Sequence, residues 1–202
     1  MDDVIQRTAQ SLATSNGATR DIAIGLAIYV LYLLCASWIV VTGVSASRIT
    51  VASVVRIGLI MLLAFVLAQV LNVVVSDPRP YIVSHSQPLT PVGHDNGFPS
   101  DHTLLAAALT ASLWWIDRRA LPVFAVGTVL IAIGRLGIGA HHTLDVAGSM
   151  AIVAVVAIGA AGFPLPAAWN RRVLPLRRGP RAVQVDSADA RAHVVADRRR
   201  SP

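Results

Sequence analysis

Arg135, His141 and Asp145 stand in the pattern Arg-x5-His-x3-Asp, downstream of Pro99-Ser100-Asp101-His102 and of Asp77-Pro78-Arg79-Pro80. Two histidines, two arginines, a serine and an aspartate make a parts list for phosphoryl transfer through a histidine. His141 and Asp145 are four apart where an apolar run begins, so on a helix they share a face. An aspartate so placed accepts a proton from one imidazole nitrogen, fixes the tautomer and leaves the other nitrogen as nucleophile. The competing reading is a loop histidine beside an N-capping Asp; the two neighbouring blocks weigh against it. His142 is the rival nucleophile, but it lies outside the Arg-x5-His-x3-Asp spacing.

His102 opens a second apolar run just after Pro99-Ser100. A helix starting there offers unpaired N–H groups and a positive dipole end to an anion. Ser100 is read as its cap and as a hydroxyl donor to a phosphate oxygen. His102 is read as the acid that protonates the leaving oxygen and the base that later activates water. Arg79 and Arg135 are rigid forks for phosphate oxygens. Metal chemistry has candidate ligands in Asp77, His85, His94, Asp95, Asp101 and His102, yet their spacings match no zinc pattern. The expectation is no metal and no cofactor.

The elements that must position these residues are transmembrane helices. Of 202 residues, 54% are hydrophobic and 14% charged, far fewer charges than in soluble domains. Five runs approach the about 20 helical residues that a bilayer core requires, namely 22–44, 57–75, 103–116, 121–138 and 146–163. The third is short unless its helix begins near Ser100. The fold class expected is therefore an all-α membrane bundle of about five helices over residues 1–167, followed by a basic tail over 168–202. Residues 1–20 are polar and lack the apolar core of a cleavable signal. Cys35, the single cysteine, excludes a disulfide framework within one chain.

The net charge of +6 resides in the tail, where nine Arg oppose three Asp; the rest of the chain is balanced. That distribution excludes a nucleic-acid-binding surface on the bundle, and from 179 onward the composition is that of a disordered segment. With five passes, the tail, the Asp117–Ala120 turn and the 45–56 connection share one side, which the positive-inside rule makes cytoplasmic. All three chemical blocks then fall on the outer side, at the ends of their helices.

Together the blocks resemble the type 2 phosphatidic acid phosphatase superfamily, whose signature is K-x6-R-P, P-S-G-H and S-R-x5-H-x3-D. The resemblance covers about 72–148. It implies a helical-bundle phosphatase using a covalent phosphohistidine and no metal. His141 is then the nucleophile, Asp145 its partner, His102 the acid/base, and Arg79, Ser100 and Arg135 phosphate ligands. Three positions depart from the signature: Asn72 replaces the lysine, Asp101 the second-block glycine and Gly134 the third-block serine. Phe98-Pro99-Ser100-Asp101-His102-Thr103 after Asp77-Pro78-Arg79-Pro80 is similar to the branch acting on undecaprenyl diphosphate, in which the lysine is not always present.

The expected function is hydrolysis of a polyprenyl diphosphate to the monophosphate at the outer face of a bacterial plasma membrane. The same chemistry on phosphatidic acid or phosphatidylglycerol phosphate is the first alternative. A non-enzymatic lipid binder or transporter is the second. If Asn72 faces the site, Asn72→Lys is expected to add a cation beside the phosphates and tighten binding. Asp101 and Asp95 are candidates for steering protons or ordering the loop.

Overall fold

The structure, a computed structural model, describes residues 3–174. Its seven α-helices are α1 (Val4–Thr14), α2 (Gly17–Ser45), α3 (Val51–Val74), α4 (Pro80–Val83), α5 (Asp101–Ser112), α6 (Leu121–Gly137) and α7 (Thr143–Gly162). Among the described residues there is no strand, only an isolated bridge between Thr50 and Arg172. The protein is an all-α membrane bundle, as the sequence predicts.

Polar residues begin the helices where the apolar runs begin. Asn16 Oδ1 accepts from the Thr19 N–H at 2.9 Å to start α2, and Thr50 Oγ accepts from the Ser53 N–H at 3.1 Å to start α3. Each satisfies an N–H that helix geometry leaves orphaned. At the far end of α7, Arg56 Nε donates to the Ala160 carbonyl at 3.1 Å. That arginine therefore caps a helix C-terminus, where a cation is favoured.

Among the described residues, four segments are long and apolar enough to cross a bilayer: Gly17–Arg48, Val51–Val74, Arg118–Gly137 and Thr143–Gly162. The fifth expected pass, α5, is shorter: 12 α-helical residues, then a 3-10 turn over Leu113–Trp115. It packs against α2, α3, α6 and α7, and Leu104, Ala106, Ala107, Ala108 and Leu109 are buried. A helix shielded from lipid by its neighbours has no need of a long hydrophobic surface. Hydroxyls add cross-helix ties: Trp38 Nε1 donates to Ser112 Oγ at 2.7 Å, and the Thr110 and Thr128 hydroxyls meet at 2.9 Å.

Both ends of the bundle carry additions. The polar N-terminal stretch forms α1, which packs on α2 and α6. Asp3 caps α1 through the Gln6 N–H and accepts from Thr143 N and Oγ at 2.6 and 2.7 Å, tying α1 to the start of α7. At the other end, residues 167–173 fold back on the α2–α3 corner. Val51 N donates to the Arg171 carbonyl at 3.1 Å, and Val173 N to the Ile49 carbonyl at 2.9 Å. The first residues of the expected tail are thus held by the bundle. From 175 onward, the tail lies outside the described residues.

Candidate active site

The three blocks, far apart in sequence, meet at one end of the bundle. The connection from α3 to α5 delivers Arg79 and Ser100, the first turn of α5 carries His102, the last turn of α6 carries Arg135, and His141 and Asp145 lie in the turn before α7 and in its first turn. Gly139, at φ +75°, provides the left-handed turn that reverses the chain between Arg135 and His141. All of Arg79, Ser100, Arg135, His141 and Asp145 are buried.

His141 is 2% exposed and its two ring nitrogens have different surroundings. The Nδ1–H donates to the Gly97 carbonyl at 2.9 Å. Asp145 Oδ2 is more distant, 3.4 Å from the same nitrogen. A backbone carbonyl is therefore the nearer tautomer-fixing group, a role the sequence alone assigned to Asp145. The shorter bond of Asp145 Oδ2 is to the His142 N–H at 2.8 Å, across the first turn of α7. On the other side of the ring, the Nε2 lone pair accepts from Arg135 Nη2 at 3.1 Å and faces Arg79 Nη1 at 3.4 Å. Burial, then the charges of Arg135 and Arg79, pull the His141 pKa down to about 3. The imidazole is thus neutral, with its free lone pair held between two guanidinium groups.

Arg79 is braced on three sides. Its Nε donates to the Asp95 carbonyl at 3.1 Å, Nη2 to Asp95 Oδ1 at 2.9 Å and Nη1 to the Ala140 carbonyl at 3.0 Å. Asp95 thus holds the Arg79 guanidinium by both its carbonyl and its carboxylate. Arg135 is looser: its Nε is buried without a partner among the described residues. That spare donor beside a neutral imidazole suits an incoming anion.

Ser100 is fully buried at the N-cap of α5, but its side chain makes no capping bond. The expectation of a side-chain cap is corrected: Ser100 Oγ accepts from Thr103 Oγ at 3.2 Å. Its carbonyl accepts from the Ser149 hydroxyl at 3.0 Å, fastening α5 to α7. His102, half-buried in the first turn, lies within electrostatic reach of Arg135, His141 and Arg79. Asp101 is exposed and interacts with the charge of Arg135, in a first turn where an acidic residue is favoured.

Asn72 does not offer its side chain to a phosphate. Its Nδ2 donates to the Phe98 carbonyl at 2.9 Å, and Asn96 Nδ2 donates to the Asn72, Val75 and Phe98 carbonyls at 2.8, 2.6 and 3.1 Å. The two amides staple the Pro99–His102 block to the end of α3. The binding gain expected for Asn72→Lys is therefore withdrawn. Instead, Asn72→Lys and Asn72→Ala should each lose about 1 kcal/mol of stability with the bond and raise KM, read from melting midpoints and substrate titrations. Unchanged values in both variants would refute the staple.

Gly97 carries no signal in the sequence, and Gly134 stands out there only as a departure from the signature. A Cβ at 97 would lie 2.9 Å from the Asp77 carbonyl and 3.2 Å from Asp145 Oδ2, so only glycine lets this loop segment approach His141. A Cβ at 134 would collide with the backbone N of Ala27, which explains the absence of the signature serine there. His142 turns away from the arginines: its ring nitrogens lie 3.6 Å from Asp3 Oδ2 and 3.9 Å from Asp77 Oδ1. Among the described residues no three His, Cys, Asp or Glu side chains converge as metal ligands.

Three comparisons bear on this arrangement. The chain is 25% identical over 124 residues to undecaprenyl-diphosphatase BcrC of Bacillus subtilis (strain 168), a match covering 61% of this chain and 62% of that protein's length. The crystal structure of LpxE from Aquifex aeolicus superposes with a TM-score of 0.57 at 21% identity, over 78% of this chain and 94% of its own. That is a likeness of fold. A model of the PAP2 superfamily matches residues 53–167, more than half of the chain and the whole stretch from Asn72 to Asp145. The chain, a multi-pass membrane bundle with the three blocks gathered at one end, belongs to the PAP2 superfamily.

Proposed function

We propose that the protein is a membrane lipid phosphatase that hydrolyses a polyprenyl diphosphate, undecaprenyl diphosphate in the first instance, to the monophosphate and inorganic phosphate. The observation that carries the reading is the neutral Nε2 of His141 lying between Arg135 and Arg79. A terminal phosphate entering there meets two guanidinium groups for its oxygens and a lone pair for its phosphorus. His141 Nε2 attacks, the bond to the bridging oxygen breaks, and His102 protonates the departing lipid monophosphate. Burial and the charges of Arg135 and Arg79 keep His102 neutral before substrate binds, and it takes up that proton as the anionic diphosphate offsets those charges. The Nδ1–H held by Gly97 and Asp145 accommodates the charge gained by the ring. His102 then takes a proton from water, the hydroxide attacks the phosphohistidine, and phosphate leaves with His141 restored.

The choice of a diphosphate rests on the likeness to the Bacillus subtilis protein and on the Asp77–Pro80 and Phe98–Thr103 segments. Arg48, Arg118 and Arg119 lie at the end of the bundle opposite the site. By the positive-inside rule that end is cytoplasmic and the reaction occurs at the outer face of a bacterial plasma membrane. A substrate whose tail stays in the bilayer suits a site at the helix ends.

The test is phosphate release by the purified protein in detergent, with and without EDTA. The expected result is release from undecaprenyl diphosphate, faster than from phosphatidic acid or phosphatidylglycerol phosphate, and undiminished by chelation. Faster turnover of a glycerophospholipid would overturn the substrate. No release from any lipid phosphate would favour a binder or transporter. Loss with EDTA, reversed only by a divalent ion, would overturn the metal-free mechanism.

A further inference from the structure

Asp145 is fully buried, yet only one of its carboxylate oxygens is satisfied by ordinary donors. Oδ2 takes the His142 N–H and faces His141 Nδ1, whereas Oδ1 has no donor from a backbone, hydroxyl or amide group. A buried, unpartnered carboxylate oxygen is costly and calls for a donor. The neighbouring side chain that acts on the Asp145 carboxyl through hydrogen bonding and charge is that of Asp77, whose carbonyl and the Asp145 carboxylate both crowd Gly97. We propose that Asp77 is a positioning residue for this site: in its acid form it donates a hydrogen bond to Asp145 Oδ1 and holds the carboxylate behind His141.

The backbone around Asp77 is built to deliver that carboxyl. Its N–H donates to Asn96 Oδ1 at 2.7 Å and its carbonyl accepts from the Gly97 N–H at 2.8 Å, so the residue is fixed from both sides. The same Gly97 carbonyl receives the His141 Nδ1–H. Asp77, Gly97, His141 and Asp145 thus form one closed unit on the side of the imidazole away from the arginines. Two carboxyl groups in contact retain a proton between them, since ionising both is unfavourable.

Burial, then the hydrogen bond and charge of Asp145, push the Asp77 pKa up to about 6, while His142 and His141 oppose the shift. The groups facing Asp77 are Asp145 on α7 and His141 and His142 in the turn before it. Asp3 at the head of α1 acts through His142, and Arg79 lies two residues along. A cavity of about 630 Å³, lined by Asp3, Asp77, His142 and Thr143, gives the proton a route to water. Because the folded-state pKa is raised, the stabilisation is complete at low pH and is lost as pH rises through about 6.

Asp77→Asn supplies a permanent N–H donor of the same shape, and Asp77→Ala supplies none. Melting midpoints in detergent between about pH 5 and about pH 8 test the inference without any activity. The wild type should lose stability relative to Asp77→Asn as pH rises, with Asp77→Ala lowest at the acid end. Identical pH dependence in wild type and Asp77→Asn would overturn the inference. The rate measurement rests on the phosphatase reading. Asp77→Ala should lose on the order of tenfold in kcat with KM little changed, because Asp77 does not touch substrate. Asp77→Asn should restore kcat and abolish the decline of the wild type above about pH 6. An Asp77→Asn as impaired as Asp77→Ala would also overturn it. A wild type that turns over no lipid phosphate would instead defeat the phosphatase reading, with the melting series still deciding the role of Asp77.

Discussion

His141→Ala abolishes turnover, with a loss on the order of a thousandfold or more, several kcal/mol of transition-state stabilisation. The magnitude follows from the surroundings of the ring. The only other imidazole in the turn is that of His142, which points to Asp3 and Asp77 rather than to the arginines. No second lone pair lies between Arg79 and Arg135 to accept a phosphoryl group. Rapid acid quenching of the wild type with labelled diphosphate should trap an acid-labile phosphoenzyme, absent in His141→Ala and present in His142→Ala. Near-normal release by His141→Ala would show that phosphate is transferred to water or to another residue.

Gly134→Ser, which restores the residue of the family signature, prevents the bundle from closing. The added Cβ would meet the backbone N of Ala27, with the carbonyl carbon and Cβ of Leu26 at 2.7 and 2.8 Å. Backbone cannot swing aside as a long side chain can, so α2 and α6 must separate. Overpacking costs about 1–3 kcal/mol and occasionally more, and a clash with main chain belongs at the upper end. Arg135 is the next residue along α6, so the displacement reaches the phosphate site as well. Gly134→Ala should be as harmful, since the Cβ alone is at fault. A melting midpoint and activity equal to wild type in Gly134→Ala would show that the helix spacing is not set there.

The elements and the blocks were legible for different reasons. Apolar runs must be helical in lipid, because no water is available for an unpaired backbone; this is why α2, α3, α6 and α7 follow the hydrophobic segments closely. The residues of the blocks were legible by type and spacing alone. Gly97 was not, because it contributes a carbonyl, which every residue has, and only the chain path shows where it points. Asp95 and Asn96 lie in an irregular loop whose partners, Arg79 and the end of α3, are distant in sequence. Asn72 fitted a lysine's register but acts as a staple, since register fixes position and not direction. The helix α1 was hidden by averaging: residues 1–20 are polar as a whole, yet Val4, Ile5, Ala9, Leu12 and Ala13 recur at helical intervals and line an apolar groove.

The shortness of α5 has a consequence for where in the membrane the chemistry occurs. With its 3-10 turn the helix is about 24 Å long, against a hydrocarbon core of about 30 Å. If Trp115 marks the hydrocarbon boundary at its end of the helix, as tryptophans do, then Ser100 and His102 lie about 6 Å beneath the opposite edge of the hydrocarbon. A lipid phosphate hydrolysed here would not rise from the bilayer to be cut; it would sink below its neighbours' headgroups to reach the buried arginines. A lipid lowered by that amount keeps its tail entirely in oil and leaves bulk water above.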